Sequence, residues 1–116
     1  MVYASESLAL CLAECLVHLP GALPEDYVAY RLDLPEAAVE PLDASRPKAG
    51  WSDDIGYTRA IGDQWIAQSR SLALAVPSAV IIESTNMLIN PAHPAATGIE
   101  VTIQEFRFDP RLRPYP

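Results

Sequence analysis

Prolines divide this chain so often that long helices have little room. Eleven of them fall in 116 residues, and Pro35, Pro77 and Pro91 bound segments with strand character. Proline lacks a backbone donor and clashes with the preceding turn, so it closes elements rather than continuing them. This punctuation favours short elements and many connections over a helical bundle. Half of the residues are apolar, enough to build a core, and the length suits one domain.

Before the first proline runs Leu8-Ala9-Leu10-Cys11-Leu12-Ala13-Glu14-Cys15-Leu16-Val17, in which Glu14 is the only charge. On a helix at about 100° per residue, Leu8, Cys11, Leu12, Cys15, Leu16 and Leu19 share one broad face. Leu10, Ala13 and Val17 lie opposite, beside Glu14. A helix that is apolar all round is expected to be buried on all sides. A carboxylate on it is costly unless paired, and such groups are enriched at working sites, though structural ion pairs use them too. Glu14 is therefore either a structural carboxylate, capping backbone or pairing with an arginine, or a working acid. Cys11 and Cys15, four apart on this helix, do not suit a disulfide. They read as core filler in a reducing compartment. His18 and His93 are far apart in sequence and no zinc spacing appears, so no metal is expected.

The rest of the chain alternates between strand and helix signals. Met1 to Ala4 reads as the tail of a strand. Ser5 or Ser7 caps the first helix, His18 suits its last turn, and Pro20-Gly21 ends it. Tyr27 to Leu34 alternates as a half-buried strand, with Val28, Tyr30, Leu32 and Leu34 on one face. Glu36 to Gly50 reads as loop. A second helix opens at Trp51, capped by Asp53 or Asp54, carries Thr58, Ile61, Trp65 and Ile66 as its stripe, and ends at Gln68-Ser69. Leu72 to Val76 is a short strand, Ala79 to Ile82 resumes extended, and Ser84 to Pro91 is loop or short helix. Ile99 to Phe108 is a late strand. This order is not a regular βαβ alternation and predicts an α+β fold: a mixed, mainly antiparallel sheet with flanking helices.

Few function classes survive the composition. The formal net charge is −7, a poor match for nucleic acid or an anionic membrane, which need clustered Lys and Arg. There is no signal peptide and no apolar run of spanning length, so a cytoplasmic protein is expected. No G-x-S-x-G surrounds Ser78, and a set composed of Ser78, His93 and Asp109 carries no weight. Taken singly, Tyr3, Trp51, Tyr57 and Trp65 read as core packing, and Asn86 and Asn90 as turn residues.

The order of the pieces says more than any one of them. Val2-Tyr3-Ala4-Ser5 leads into the helix with Ala13-Glu14. Trp51 follows, then Ile61-Gly62-Asp63-Gln64-Trp65, Val76-Pro77-Ser78-Ala79-Val80, Asn86-Met87-Leu88-Ile89-Asn90-Pro91 and Phe108-Asp109-Pro110-Arg111-Leu112. This series resembles the RES domain family across essentially the whole chain. The resemblance implies a toxin of a type II toxin–antitoxin pair, with an ADP-ribosyltransferase-like fold, that consumes NAD by cleaving its nicotinamide–ribose bond. It implies an antitoxin with an Xre-like helix-turn-helix as partner. By position Glu14 matches the family Glu, Ser78 the family Ser, and Tyr3 the aromatic residue before the helix, where its ring would stack on nicotinamide.

The family Arg lies upstream of the Tyr3 segment, in a stretch outside residues 1–116. The expectation is a single domain lacking its N-terminal piece, with an unpaired strand edge beside Val2-Tyr3-Ala4 and a tendency to self-associate. It would bind NAD weakly unless one of Arg31, Arg59, Arg70, Arg107, Arg111 or Arg113 holds the pyrophosphate. The alternative is a degenerate, non-catalytic domain that only binds an antitoxin.

Overall fold

A computed structural model describes residues 1–19, 26–42 and 49–112. Pro20-Gly21, Arg46, Pro47, Lys48 and Arg113 lie outside the described residues. Six strands and two helices are present among those described, in the order β1 (Val2–Ser5), α1 (Leu8–His18), β2 (Val28–Asp33), β3 (Val39–Pro41), α2 (Ile55–Gln68), β4 (Ala73–Pro77), β5 (Thr85–Ile89) and β6 (Glu100–Glu105). The α+β class is as expected. A four-stranded mixed sheet has the order β1-β5-β4-β3, and β2 and β6 form a separate antiparallel ribbon. Among the described strands only β3 and β4 run parallel. β1 is an edge of the larger sheet among the described residues.

Both helices start where a side chain can take up an orphan backbone donor. Ser7 caps α1 by accepting from the Leu10 N–H, and Asp54 caps α2 by accepting from the Tyr57 N–H at 2.9 Å. Ser69 ends α2 in the left-handed region at φ 53°. The α2 stripe places Trp65 in the core. Its indole N–H donates to Ser71 Oγ, and Ser71 donates to Glu40 Oε2, each at 2.8 Å. Arg70 Nε bonds the other Glu40 oxygen at 2.7 Å. The C-terminal end of α2 is thereby tied to β3.

Strand register divides the sheet into two faces, since alternate residues point opposite ways. Tyr3, Leu88 and Leu74 are opposite one another across three strands, as are Ser5, Asn86 and Val76 or its neighbours. On this face Trp65 packs with Leu74 and Leu88, joined by Leu42, Ile66 and Val76. The other face carries Ala73 and Ile89, covered by Leu32 and Leu34 of the ribbon region and by Ala96 and Ile99.

Several expectations fail, for local reasons. Helix α1 is not buried on all sides: Leu10 is its only buried residue, and Leu8, Cys11 and Val17 are exposed. It packs along the β1 side of the sheet instead of through a core. Cys11 is therefore not core filler, and Cys15 is only half-buried. In β2, Val28 and Tyr30 are exposed rather than half-buried, because the ribbon reaches the core only through its Leu32 end. The Glu36–Gly50 segment holds a strand, β3, whose pairing comes from β4 and not from its own pattern. Ala79–Ile82 is not extended: Ser78 Oγ accepts from the Val80 and Ile81 N–H groups at 3.1 and 3.0 Å. That side-chain contact folds the segment into a turn. Ser84–Pro91 is neither loop nor helix, since Thr85–Ile89 is β5, paired on both sides.

Candidate active site

The site lies on the Tyr3–Leu88–Leu74 face of the sheet, between α1 and α2. A cleft of about 400 Å³ opens there, within the size range of small-molecule sites. Its floor is Tyr3, Asn86, Leu88 and Val76; Glu14 and His18 come from α1, and Thr58, Arg59, Gly62 and Asp63 from α2. Trp51 and Ser52 also line it. Tyr3 keeps 74 % of its surface exposed, so its ring is available to a ligand. Trp51 and Tyr57 line the cleft, unlike Trp65, which packs in the core as expected.

Glu14 and Ser78, 64 positions apart, are brought into direct contact. Ser78 Oγ donates to Glu14 Oε1 at 2.7 Å. The same oxygen accepts from Asn86 Nδ2 at 2.7 Å. Asn86 Oδ1 in turn accepts from Ser5 Oγ at 2.8 Å. The chain Ser5, Asn86, Glu14, Ser78 thus links β1, β5, α1 and the end of β4. Ser78 is fully buried, at 0 % exposure. Its one proton goes to Glu14 and its lone pairs to Val80 and Ile81, so its hydroxyl has no bonding capacity left over. Both donors to Glu14 reach Oε1. Glu14 also lines the cleft. It is thus a carboxylate clamped through one oxygen at the cleft wall, able to stabilise positive charge or accept a hydroxyl proton.

Asn86 is the residue that sequence reasoning missed. Its flanking position to Asn90 suggested turn chemistry, which holds only for Asn90, whose Oδ1 accepts from the Ala92 N–H at 3.0 Å. His18, read from the sequence only as a helix-end residue, and Arg59, one of six arginines the sequence offered for the pyrophosphate, also line the cleft. His93 and Asp109 are not joined to Ser78. His93 Nδ1 accepts from the Ala95 N–H, and Asp109 bonds Arg111, whose guanidinium holds the Asp109 carboxyl below its ordinary range. Burial, helped by Cys15, pushes the Cys11 thiol above its ordinary value. Among the described residues no three His, Cys, Asp or Glu side chains gather as a metal site, and no helix is long and apolar enough to cross a membrane.

Comparison with known proteins adds a lineage to this geometry. The model of the RES domain matches residues 1–111. The Prs ADP-ribosylating toxin of Sphingobium sp. (strain YBL2) is 35 % identical over 119 residues, an alignment covering 97 % of this chain and 74 % of that protein. Toxin Res of Pseudomonas putida is 35 % identical over 116 residues, covering 97 % of this chain and 79 % of that protein. Toxin Res of Yersinia enterocolitica is 27 % identical over 117 residues, with 97 % and 77 % covered.

Proposed function

The chain belongs to the RES domain family, and from that premise we propose that it is a toxin that degrades NAD by breaking the nicotinamide–ribose bond. The observation that carries this reading is Glu14, clamped through Oε1 and lining a cleft that also presents the exposed Tyr3 ring. The names of the Sphingobium, Pseudomonas and Yersinia relatives, as an ADP-ribosylating toxin and as Res toxins, support it.

In this mechanism the glycosidic bond between ribose C1′ and the pyridinium nitrogen breaks, and its electron pair leaves with neutral nicotinamide. The ribose ring takes on oxocarbenium character. Glu14 Oε2 faces that charge or accepts from the 2′-hydroxyl, and its position beside apolar walls strengthens the attraction. A nucleophile then adds at C1′ and loses its proton; water, phosphate and a protein side chain all satisfy this balance. Tyr3 stacks on the nicotinamide ring. Ser78 and Asn86 act as positioning residues: they hold Oε1 so that Oε2 points into the cleft. NAD enters as substrate and no metal takes part in this scheme.

Residues 1–116 form one domain of ADP-ribosyltransferase-like architecture in this reading. It acts in the cytoplasm. It is held in check by an Xre-like antitoxin that supplies any DNA contact, since a chain of net charge −7 lacks the cationic surface for it. The exposed apolar face formed by Val28, Tyr30, Val101 and Ile103 supports association with a protein.

The test is Glu14→Gln, which keeps the side chain's shape and removes its charge. Nicotinamide release from NAD is expected to fall by about a hundredfold or more, with the circular dichroism spectrum unchanged. Normal NAD cleavage by the variant would refute the assignment, and insoluble protein would mean that Glu14 is structural.

A further inference from the structure

We infer that Arg59 is the phosphate clamp of the cleft, holding the diphosphate of a nucleotide whose reacting ribose lies at Glu14. This deepens the NAD reading and rests on it for the identity of the ribose. The argument is one of elimination among the described arginines. Arg31 is bonded to Asp33 at 3.2 Å, Arg70 to Glu40 at 2.7 Å and Arg111 to Asp109 at 2.7 Å. Arg107 does not line the cleft. Arg59 does, and among the described residues it makes no ion pair.

Asp63 makes that freedom informative. It sits four residues after Arg59 on α2, the spacing at which helix side chains meet, and it lines the same cleft. A guanidinium with a carboxylate in reach that still points into a pocket is available to a ligand. Its planar fork matches two oxygens of a phosphate. Glu14 and His18 face it from α1. Contact binding is also what the chain's overall charge demands. A net charge of −7 repels a diphosphate at long range, so affinity must come from a cation within the cleft. Asp63 works against the phosphate and sets a local counterweight to Arg59.

The experiment titrates ADP, a diphosphate without nicotinamide, into the protein by calorimetry and measures nicotinamide release from NAD alongside. Arg59→Gln is expected to weaken ADP binding by about 10- to 100-fold, the scale of one charged hydrogen-bonded contact. KM for NAD rises by a similar factor while kcat holds. Turnover of nicotinamide riboside, which has no phosphate, stays as in the unsubstituted protein. Arg59→Lys restores part of the affinity, and Asp63→Asn tightens ADP. Arg59 is exposed, so the fold survives its replacement. Equal ADP affinity in Arg59→Gln and the parent, or no ADP binding by the parent, overturns the inference. ADP binding lost with Arg59 in a protein that releases no nicotinamide keeps the clamp and sinks the cleavage reading instead.

Discussion

Ser78 is bound on every side, and this separates its role from that of Glu14. Replacing it with alanine removes one donor to Oε1 and leaves the Val80 and Ile81 N–H groups without their acceptor. Losing the contacts of this fully buried hydroxyl costs about 1–3 kcal/mol in stability. Urea unfolding of Ser78→Ala should report that loss. NAD cleavage should fall less than in Glu14→Gln, because Asn86 still holds the carboxylate. Full loss of activity at unchanged stability would instead make Ser78 a group that touches substrate. At this scale much was legible in the sequence. Glu14 stood out as a lone charge in an apolar run, and Ser78 through the order of short strings. Asn86 did not, since the turn preference of asparagine is a strong local signal and its partner is 72 residues away. No window of sequence records such a contact.

Helix α2 shows how a glycine inside an element is read correctly only with its neighbours in view. Gly62 is buried, and a Cβ there would meet Met1 Cε at 3.5 Å and Leu88 Cδ1 at 3.7 Å. Those are ordinary contact distances to flexible side-chain ends. Gly62→Ala should therefore fit and gain about 0.5–1 kcal/mol from helix propensity, seen as a higher thermal midpoint. A drop would mean that the Met1 and Leu88 side chains do not accommodate the methyl. The helix itself was readable from its Asp54 cap, its Trp65 stripe and its Ser69 end. Strand β5 was not. Leu88 packs on one face of the sheet and Met87 and Ile89 on the other, so Met87-Leu88-Ile89 carries no alternation for a strand reading to catch. β3 is three residues long and exists because β4 offers it a ladder.

The molecule as a whole is thin, with extents of 43 × 36 × 20 Å, and its two sheets are unequally protected. The β2–β6 ribbon pairs Tyr30 with Ile103 and Leu32 with Val101. Leu32 is tucked against the core, yet Tyr30 and Ile103 are each 62 % exposed. A small ribbon with one open apolar face is a surface for association. Ile103→Lys should reduce self-association in sedimentation without moving the unfolding midpoint, as exposed substitutions change stability by about 0.5 kcal/mol or less. A large loss of stability would show that the face is covered within the molecule. The sequence showed both strands by their alternation but not that the shared apolar side stays open, because alternation reports a face and not what lies against it. The contacts at Glu14 carry a different consequence, one of timing. Its two donors arrive 64 and 72 residues after it in the chain. While the protein is being synthesised, α1 emerges long before β5. A ribosome-bound chain that ends short of Asn86 holds Glu14 without its full set of donors. The network around this carboxylate therefore closes only after β5 has emerged, however early α1 forms.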